Sequence, residues 1–176
     1  VADYAQALHW ISLAAQQGHP NAQDNLGWIF ASGKGAEKNT VKAIHWYRKA
    51  AINGHASAQF KLGTLYYNGV DAPQDLKNAS KWFEMAAQQG VAQAQFNLGV
   101  MYFNGEGVEK DIDQAISWIE QAARQNMAIA QYTLGMFYQD GKVMQQDLES
   151  ARHWLNQAAL NHSPEDGFLD DLNRRI

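Results

Sequence analysis

The stretch that decides the fold runs from residue 58 to residue 90 and reads AQFKLGTLYYNGVDAPQDLKNASKWFEMAAQQG. Its tryptophan belongs to a series spaced by 36 residues, at Trp10, Trp46, Trp82, Trp118 and Trp154. A Leu-Gly pair recurs with the same step at 26–27, 62–63, 98–99 and 134–135, and an Ala-Ala pair at 14–15, 50–51, 86–87, 122–123 and 158–159. A fixed period of this length predicts a solenoid in which one small unit packs on the next.

The second half of this stretch has the pattern of an amphipathic helix. Its apolar or small residues recur at helical spacing, at Ala79, Trp82, Phe83, Ala86 and Ala87. We expect the helix to begin after an N-cap residue, at Asp75 and, in the other units, at Asp3, Asn39, Asp111 and Asp147. It should end before a residue suited to the left-handed conformation, at Gly18, Gly54, Gly90 and Asn126. The recurring tryptophans are expected in the core.

A preceding helix, clearest over residues 92–104, carries the Leu-Gly pair at its centre. Its apolar stripe comprises Ala94, Leu98, Met101 and Tyr102. Pro20 and Pro164 stand at its first position in two units, where proline is tolerated. Glycine inside a helix costs about 1 kcal/mol relative to alanine. Its recurrence therefore predicts a close contact with the second helix, and we expect the Ala-Ala pair to be the partner.

The combined pattern A-Q-x-x-L-G-x-x-Y/F-x-x-G followed by D-x-x-x-A-x-x-W-Y-x-x-A-A-x-x-G resembles the Sel1-like repeat, a relative of the tetratricopeptide repeat. Residues 58–90 carry it almost completely. The resemblance implies an all-α fold, a right-handed α-α superhelical solenoid of Sel1-like helical hairpins. It also implies a scaffold or adaptor, since similar proteins act in endoplasmic-reticulum quality control and in bacterial envelope, signalling and host-interaction systems. The short, glutamine-rich units favour a bacterial source.

In the phase of this family, residues 1–176 form a single domain with full repeats at 19–54, 55–90, 91–126 and 127–162. Residues 1–18 are then the second helix of a truncated repeat, and we expect the natural protein to extend further toward its N-terminus. Residues 163–176 lack the Leu-Gly pair and are rich in charged side chains. They are predicted to form a C-terminal capping helix with a polar outer face.

Composition argues against several classes of function. The absence of cysteine excludes disulfides and thiol catalysis. The net charge of -4, which is +2 over residues 1–88 and -6 over residues 89–176, argues against nucleic-acid binding. No apolar run approaches the roughly 18 residues of a membrane span. The residues at the start of the chain lack the features of a signal peptide. The compartment therefore stays open between periplasmic or secreted and cytoplasmic.

Metal and cofactor sites are not expected either. The six histidines fall largely at equivalent positions of different units, and stacked helices about 8–10 Å apart hold such residues too far apart for one ion. The Gly-x-Gly loops at 33–35 and 105–107 follow no strand and lack the rest of a phosphate-binding motif. We therefore predict that the chain needs no metal and no cofactor.

In related helical-hairpin solenoids the first helix of each unit lines the concave face. The resemblance therefore implies a groove for a protein or peptide partner, formed by first-helix positions that differ between units. The candidate residues are Asp24, Trp28, Phe60, Lys61, Thr64, Tyr67, Phe96, Asn97, Val100, Phe103, Tyr132, Met136 and Gln139. Hydrogen bonds that orient the partner are expected from Asp24, Lys61, Asn97 and Gln139.

Two questions stay open at this point. The row of Phe60, Phe96 and Tyr132 could pack between neighbouring units, or it could form the apolar floor of the groove. We expect a non-enzymatic interaction module without catalytic residues. One alternative is a hydrolase of cell-wall or β-lactam-like substrates, by analogy with cysteine-rich relatives linked to penicillin binding and β-lactam hydrolysis. The missing S-x-x-K arrangement counts against it. Another is a spacer or anchor for a domain N-terminal to residue 1.

Overall fold

The structure, a computed structural model, describes residues 2–69 and 73–161, and only the backbone for residues 2–5. Every regular element in this part of the chain is an α-helix, which confirms the all-α prediction. The helices are α1 (Ala2–Gln16), α2 (Pro20–Ser32), α3 (Thr40–Ile52), α4 (Ala56–Asn68), α5 (Leu76–Gln88), α6 (Ala92–Asn104), α7 (Ile112–Arg124), α8 (Ala128–Asp140) and α9 (Leu148–Asn161). The even-numbered helices are the predicted first helices, and the odd-numbered ones are the second helices.

The second helices begin at the predicted N-caps. The Asp75 Oδ1 atom accepts a hydrogen bond from the Asn78 N–H at 3.0 Å, which satisfies a donor that the helix itself leaves open. The same arrangement is present at Asn39, Asp111 and Asp147. Asp3 is the exception, because α1 already includes it. The side-chain caps therefore fix the register of α3, α5, α7 and α9.

The tight turns after the second helices confirm the predicted left-handed residues. The φ angle is +92° at Gly18, +82° at Gly54, +86° at Gly90 and +63° at Asn126. At Gly54 the turn is closed by two hydrogen bonds, from the Gly54 N–H to the Ala51 oxygen at 3.0 Å and from the His55 N–H to the Ala50 oxygen at 3.1 Å. This pattern satisfies carbonyls that the helix end leaves open, and it leads directly into the next first helix.

The chain divides into two compact units, Val1–Val91 and Ala92–Ile176. The first has a buried core cluster of Ala43, Tyr47, Ala50, Ala51, Ala58 and Leu62. The second has an equivalent cluster of Ile119, Ala122, Ala123, Ala130 and Leu134. Alanine recurs in both clusters because small side chains allow helix axes to approach closely, and the leucine of the Leu-Gly pair fills the remaining volume.

The prediction that the Ala-Ala pair faces the helical glycine is wrong. A Cβ atom added at Gly63 would lie 2.7 Å from the ring of Phe83, and one at Gly27 would lie 2.6 Å from the ring of Tyr47. The close neighbour is therefore the large residue that follows each recurring tryptophan. Glycine is needed because this side chain lies directly across the face of the first helix and leaves no room for a methyl group.

The tryptophan prediction is only partly correct. Trp82 and Trp154 are half-buried and pack against the two core clusters. Trp10, in contrast, has 67% of its surface exposed, so the expectation that it lies in the core is wrong. The reason is position on the helix: the tryptophans lie at the edge of the packed face, and burial depends on what neighbouring elements cover. His9 is in edge-to-face contact with Trp10, with ring centroids 5.4 Å apart.

The predicted capping helix at residues 163–176 and the Pro164 position lie outside the described residues. Pro20 does begin α2, as expected. None of the helices in the described part of the chain has the length and apolar content needed to cross a bilayer.

Candidate partner-binding surface

A buried glutamine in each first helix fixes the position of its helix, and the sequence reasoning did not assign it this role. The Nε2 atom of Gln59 donates to the Ala51 oxygen at 3.0 Å, across the tight turn. Its Oε1 atom accepts from the Gln89 Nε2 atom at 2.7 Å. The sequence contained evidence for this role, because the glutamine of the Ala-Gln pair recurs every 36 residues on the buried face of the helix. A polar residue that recurs there indicates a buried hydrogen bond.

The same arrangement recurs with one defect. Gln95 and Gln131 accept from the side chains of Gln125 and Asn161 at 2.8 and 3.1 Å. In α2 the Gln23 Nε2 atom still donates to the Ala15 oxygen at 3.1 Å, but its Oε1 atom is buried and has no hydrogen-bond partner among the described residues. α2 therefore lacks the hydrogen bond to the glutamine oxygen that α4, α6 and α8 have.

α2 departs from the other first helices at the next position as well. Asp24 stands where α4, α6 and α8 have an aromatic residue, and it is 6% exposed. One carboxylate oxygen, Oδ2, lies 2.7 Å from the Lys61 ammonium of α4 and 3.4 Å from the Ser57 hydroxyl, which donates to it. The other, Oδ1, is buried without a hydrogen-bond partner among the described residues. The Asp24 carboxylate is therefore held between α2 and α4, and its Oδ1 atom accepts no hydrogen bond from the described residues.

A second polar bridge joins the starts of the same two helices. The His55 Nδ1 atom accepts from the Ala58 N–H at 3.3 Å as a cap of α4. Its Nε2 atom lies 2.8 Å from the Asn21 Oδ1 atom of α2. Since Nδ1 acts as the acceptor, the proton belongs on Nε2, which donates to Asn21. The two bridges hold α2 and α4 side by side.

Tyr47 of α3 lies beneath this pair of helices. The Lys61 ammonium lies 5.5 Å from the centre of its ring, close enough for a cation–π interaction. Burial first, and then the Asp24 carboxylate, raise the pKa of the Tyr47 hydroxyl far above its ordinary value. The phenol therefore stays neutral, and Lys61 is the positive charge that balances Asp24.

The structure places the predicted aromatic row mostly in packing. The Phe60 ring lies 5.9 Å from the Phe83 ring of the same hairpin. Phe96 packs against the core cluster of its unit, and Tyr132 is 8% exposed, with Leu155 among its packing neighbours. Phe60 and Phe96 keep part of their surface exposed. Most of the surface of each of these three rings is therefore buried.

The predicted residues at two further repeat positions, those of Trp28 and Tyr67, lie nearer to solvent. Trp28 is 45% exposed, one helical turn beyond Asp24. Thr64, Val100 and Met136 share its position and are half-buried. Tyr67 and Phe103 are half-buried against Phe83 and Phe137, with ring distances of 6.2 and 5.5 Å. Lys61 and Asn97 are half-buried and Gln139 is exposed.

Of the predicted residues in the first unit, Lys61 contacts Asp24, Trp28 lies one turn after Asp24 on α2, and Thr64 lies one turn after Lys61 on α4. These four residues are called here the α2/α4 surface. In the second unit Asn97 and Val100 lie on α6, and Met136 and Gln139 lie on α8. Within the described residues, no cluster of three or more His, Asp or Glu side chains is arranged to hold a metal ion.

Comparison with known proteins identifies the repeat. The Sel1 repeat matches at residues 1–19, 20–55, 56–91, 92–127 and 128–163. A protective antigen of uropathogenic Escherichia coli strains that displays an SLR fold is 36% identical with a TM-score of 0.84, and the match covers 89% of this chain and 33% of that chain. A Sel1 repeat protein from Oxalobacter formigenes is 35% identical with a TM-score of 0.83, covering 89% and 65%.

This chain therefore spans a third of the length of the first relative and 65% of the second. A likeness to the Helicobacter pylori cysteine-rich protein B, at 22% identity and a TM-score of 0.57, supports the fold alone. No curated protein gave a significant match. The predicted resemblance and the solenoid fold are confirmed, and the chain belongs to the Sel1 repeat family, whose members commonly serve as scaffolds for protein–protein interaction.

Proposed function

We propose that this chain is a non-enzymatic interaction module that binds a peptide or protein partner on the exposed faces of its first helices. The observation that carries the proposal is the α2/α4 surface. There an exposed tryptophan stands one turn from a buried carboxylate that keeps an unpaired oxygen. Tryptophan is one of the residue types that carry most of the binding energy at interfaces.

The chemistry of this surface indicates what a partner must offer. Trp28 presents a large apolar ring, and the Lys34 ammonium lies 5.8 Å from its centre. Solvent does not reach Asp24 Oδ1, so the polar group that a partner can contact here is the partly exposed Lys61 ammonium. A segment with an apolar side chain next to a carboxylate or carbonyl oxygen fits both features.

A peptide-display selection tests the proposal and does not require the partner to be identified first. The folded chain is used to select short peptides, and the enriched sequences are measured by calorimetry against the wild type, Trp28→Ala and Lys61→Ala. The control is Val41→Ala, which removes a still more exposed apolar side chain (75% against 45% for Trp28) from α3, outside the proposed surface. We expect about a tenfold or greater loss of affinity for the two surface variants and none for the control, in the range typical of interface anchors.

Two results would overturn the proposal. One is a selection in which no sequence is enriched above an unrelated folded control protein. The other is a set of peptides whose affinity is unaffected by Trp28→Ala and by Lys61→Ala, which would mean that binding occurs elsewhere on the chain.

A further inference from the structure

A second surface of the first unit is the outer side of α3, opposite the side that this helix buries. Residues four or seven positions apart lie on one side of a helix, and Val41, His45 and Ile52 form such a line on α3. Val41 is 75% and Ile52 is 68% exposed. Two aliphatic side chains therefore stand at the ends of a crest about 16 Å long.

Two lysines lie on one flank of this crest, and aromatic rings hold both of them. The Lys42 ammonium lies 5.2 Å from the centre of the Phe30 ring of α2. The Lys49 ammonium lies 4.7 Å from the centre of the Trp46 ring of α3. A ring attracts a cation without neutralising it, so both positive charges stay available at the surface.

An arginine lies on the other flank. The Arg48 guanidinium donates to the Tyr66 hydroxyl of α4, which is a neutral partner as well. α3 contains no aspartate or glutamate. The crest therefore has positive charge on both sides, and no carboxylate within the helix balances it. The residues that form the crest and its flanks are called the α3 outer face, and they are Val41, Lys42, His45, Arg48, Lys49 and Ile52.

The other second helices do not share this face. At the positions of the three α3 cations, the remaining full helices carry Asn78, Glu84 and Met85 on α5, Gln114, Glu120 and Gln121 on α7, and Ser150, Asn156 and Gln157 on α9. The position of Val41 is charged in all three of these helices, as Lys77, Asp113 and Glu149. The same hairpin thus forms without these side chains, so packing of the repeat does not explain them.

The exposure of this face does not come from an end of the solenoid. α3 lies inside the unit Val1–Val91 and packs on α2 and α4. Trp82 of α5 lies against the same core cluster, which includes Ala43 and Ala50 of α3. The inner side of α3 is therefore fully used by its neighbours, while its outer side remains in contact with solvent.

An aliphatic crest between two flanks of cations is the arrangement of a helix that lies in the interface of a bilayer. There the apolar side chains enter the layer of headgroups, and lysine and arginine reach anionic lipids with their long side chains. An acidic polypeptide would also balance the cations, but it would have to offer two apolar contacts about 16 Å apart. A bilayer offers apolar surface along the whole crest.

We propose that the α3 outer face binds the surface of a membrane that contains anionic lipids. Val41 and Ile52 enter the headgroup layer, and the three cations pair with lipid phosphates on either side of the crest. The chain lies on the membrane and does not cross it. A lysine or arginine near such a surface contributes roughly a fivefold factor to binding, so the cations and the crest act together.

This inference is independent of the proposed peptide-binding surface. It rests on the outer side of a second helix, whereas the α2/α4 surface belongs to two first helices. Substitutions at Lys42 and Lys49 leave Trp28 and the Asp24–Lys61 ion pair in place, so failure of one proposal does not imply failure of the other.

Co-sedimentation of the full chain with lipid vesicles tests the proposal. One set of vesicles contains equal parts of phosphatidylglycerol and phosphatidylcholine, and the other contains phosphatidylcholine alone. The charge variant is Lys42→Gln with Lys49→Gln. Its matched control is Lys110→Gln with Lys142→Gln, which removes the same charge from two exposed positions in the second unit. Lys110 also lies 5.7 Å from the centre of an aromatic ring, that of Phe103.

A second variant tests the crest without changing the charge. It carries Val41→Ser with Ile52→Ser, at two positions where the side chain is mostly exposed. Circular dichroism should be the same for all variants and the wild type, because none of the substituted side chains is buried. Soluble polyglutamate, added to the wild type without vesicles, measures binding to an acidic polypeptide.

We expect the wild type to bind the anionic vesicles and not the neutral ones. The charge variant should bind about 25-fold more weakly, the crest variant about fivefold more weakly, and the matched control like the wild type. Absence of binding to anionic vesicles would overturn the proposal, as would an equal loss in the matched control, which would show a response to net charge alone. Binding of polyglutamate without binding of vesicles would also overturn it, because the occupant would then be an acidic polypeptide.

Discussion

The hairpins α2–α3 and α4–α5 share one backbone pattern but differ in how they use two neighbouring positions. In α4, Gln59 completes its hydrogen bonds with Gln89, and the next residue, Phe60, packs on Phe83. In α2, Gln23 keeps an unpaired oxygen, and the next residue is Asp24, which binds Lys61. The repeat therefore tolerates weaker interactions at these two positions of α2. The same helix exposes Trp28, and it is part of the surface on which we propose that the partner binds.

The largest expected change in stability comes from the α4–α5 hairpin, whose two positions follow the pattern of the repeat. Gly63→Leu should lower the free energy of unfolding by about 3 kcal/mol, because the new side chain would have to enter the space of the Phe83 ring. Chemical denaturation monitored by circular dichroism measures the change. Phe83→Ala in the same protein should recover part of the loss relative to the sum of the two single variants. Strict additivity would contradict the close contact.

The next prediction concerns the Asp24–Lys61 ion pair, because α2 has Asp24 where α4 has Phe60. Lys61→Met should cost about 2 kcal/mol, because it leaves the Asp24 carboxylate buried and unpaired, although Lys61 itself is partly exposed. Adding Asp24→Phe, the residue type found at position 60, should restore stability to about the wild-type value. Urea denaturation of the four proteins in this cycle provides the measurement. If Asp24→Phe lowers stability in the Lys61→Met background, Asp24 is not the origin of the cost.

A smaller effect concerns the unpaired glutamine. Asn53 occupies in α2–α3 the position that Gln89 occupies in α4–α5. Asn53→Gln should stabilise the protein by about 1 kcal/mol, because the added methylene group brings the amide nearer to the Gln23 oxygen, which Asn53 does not reach although Asn161 reaches Gln131 from the same repeat position. Gln89→Leu should destabilise it by a similar amount, because it leaves the Gln59 oxygen unpaired. Thermal denaturation measures both changes, and an Asn53→Gln variant that is no more stable than the wild type would contradict the assignment.

The smallest effect depends on pH. The cap of α5 is Asp75, whereas the cap of α3 is Asn39, which does not titrate. Hydrogen bonds from the Asn78 backbone and side chain lower the pKa of the Asp75 carboxyl. Its contribution is therefore present above its unfolded value near 3.9 and is lost as the pH falls through the lowered folded pKa.

Asp75→Asn should accordingly lower stability at neutral pH and show a smaller deficit near pH 3. An Asn39→Asp variant should gain the acid sensitivity that the wild-type cap lacks. Denaturation midpoints of the three proteins at both pH values measure the effect. A constant deficit of Asp75→Asn at all pH values would show that its charge does not contribute.

Much of this molecule could be predicted from the 36-residue step, and the reason is physical. A repeated residue has a repeated environment, so the caps at Asp75 and Asn39, the turns at Gly54 and Gly90, and the hairpins themselves follow from one unit. The residue that packs against the helical glycine could not be derived in the same way. Periodicity shows that Gly63 recurs, but the choice between the Ala-Ala pair and Phe83 depends on the rotation of one helix against the other.

The binding surface was harder to predict because its residues do not recur. The pairing of Asp24 with Lys61 joins residues 37 positions apart, one more than the period, and only the structure shows that they meet. The exposure of Trp28 and Trp10 was likewise not predictable from residue type, since tryptophan is buried or exposed according to what covers it. The buried glutamines could have been assigned, because a polar residue with the full period on the apolar face is itself informative.

The most direct test is to measure stability and peptide affinity on the same Trp28→Ala protein. If the repeated residues hold the fold and the non-repeated ones bind the partner, the melting temperature should stay within about 2 °C of the wild type, as for a surface substitution. The affinity for peptides selected on the wild type should fall about tenfold or more. A protein that melts many degrees lower, or one that binds those peptides with unchanged affinity, would contradict this division of roles.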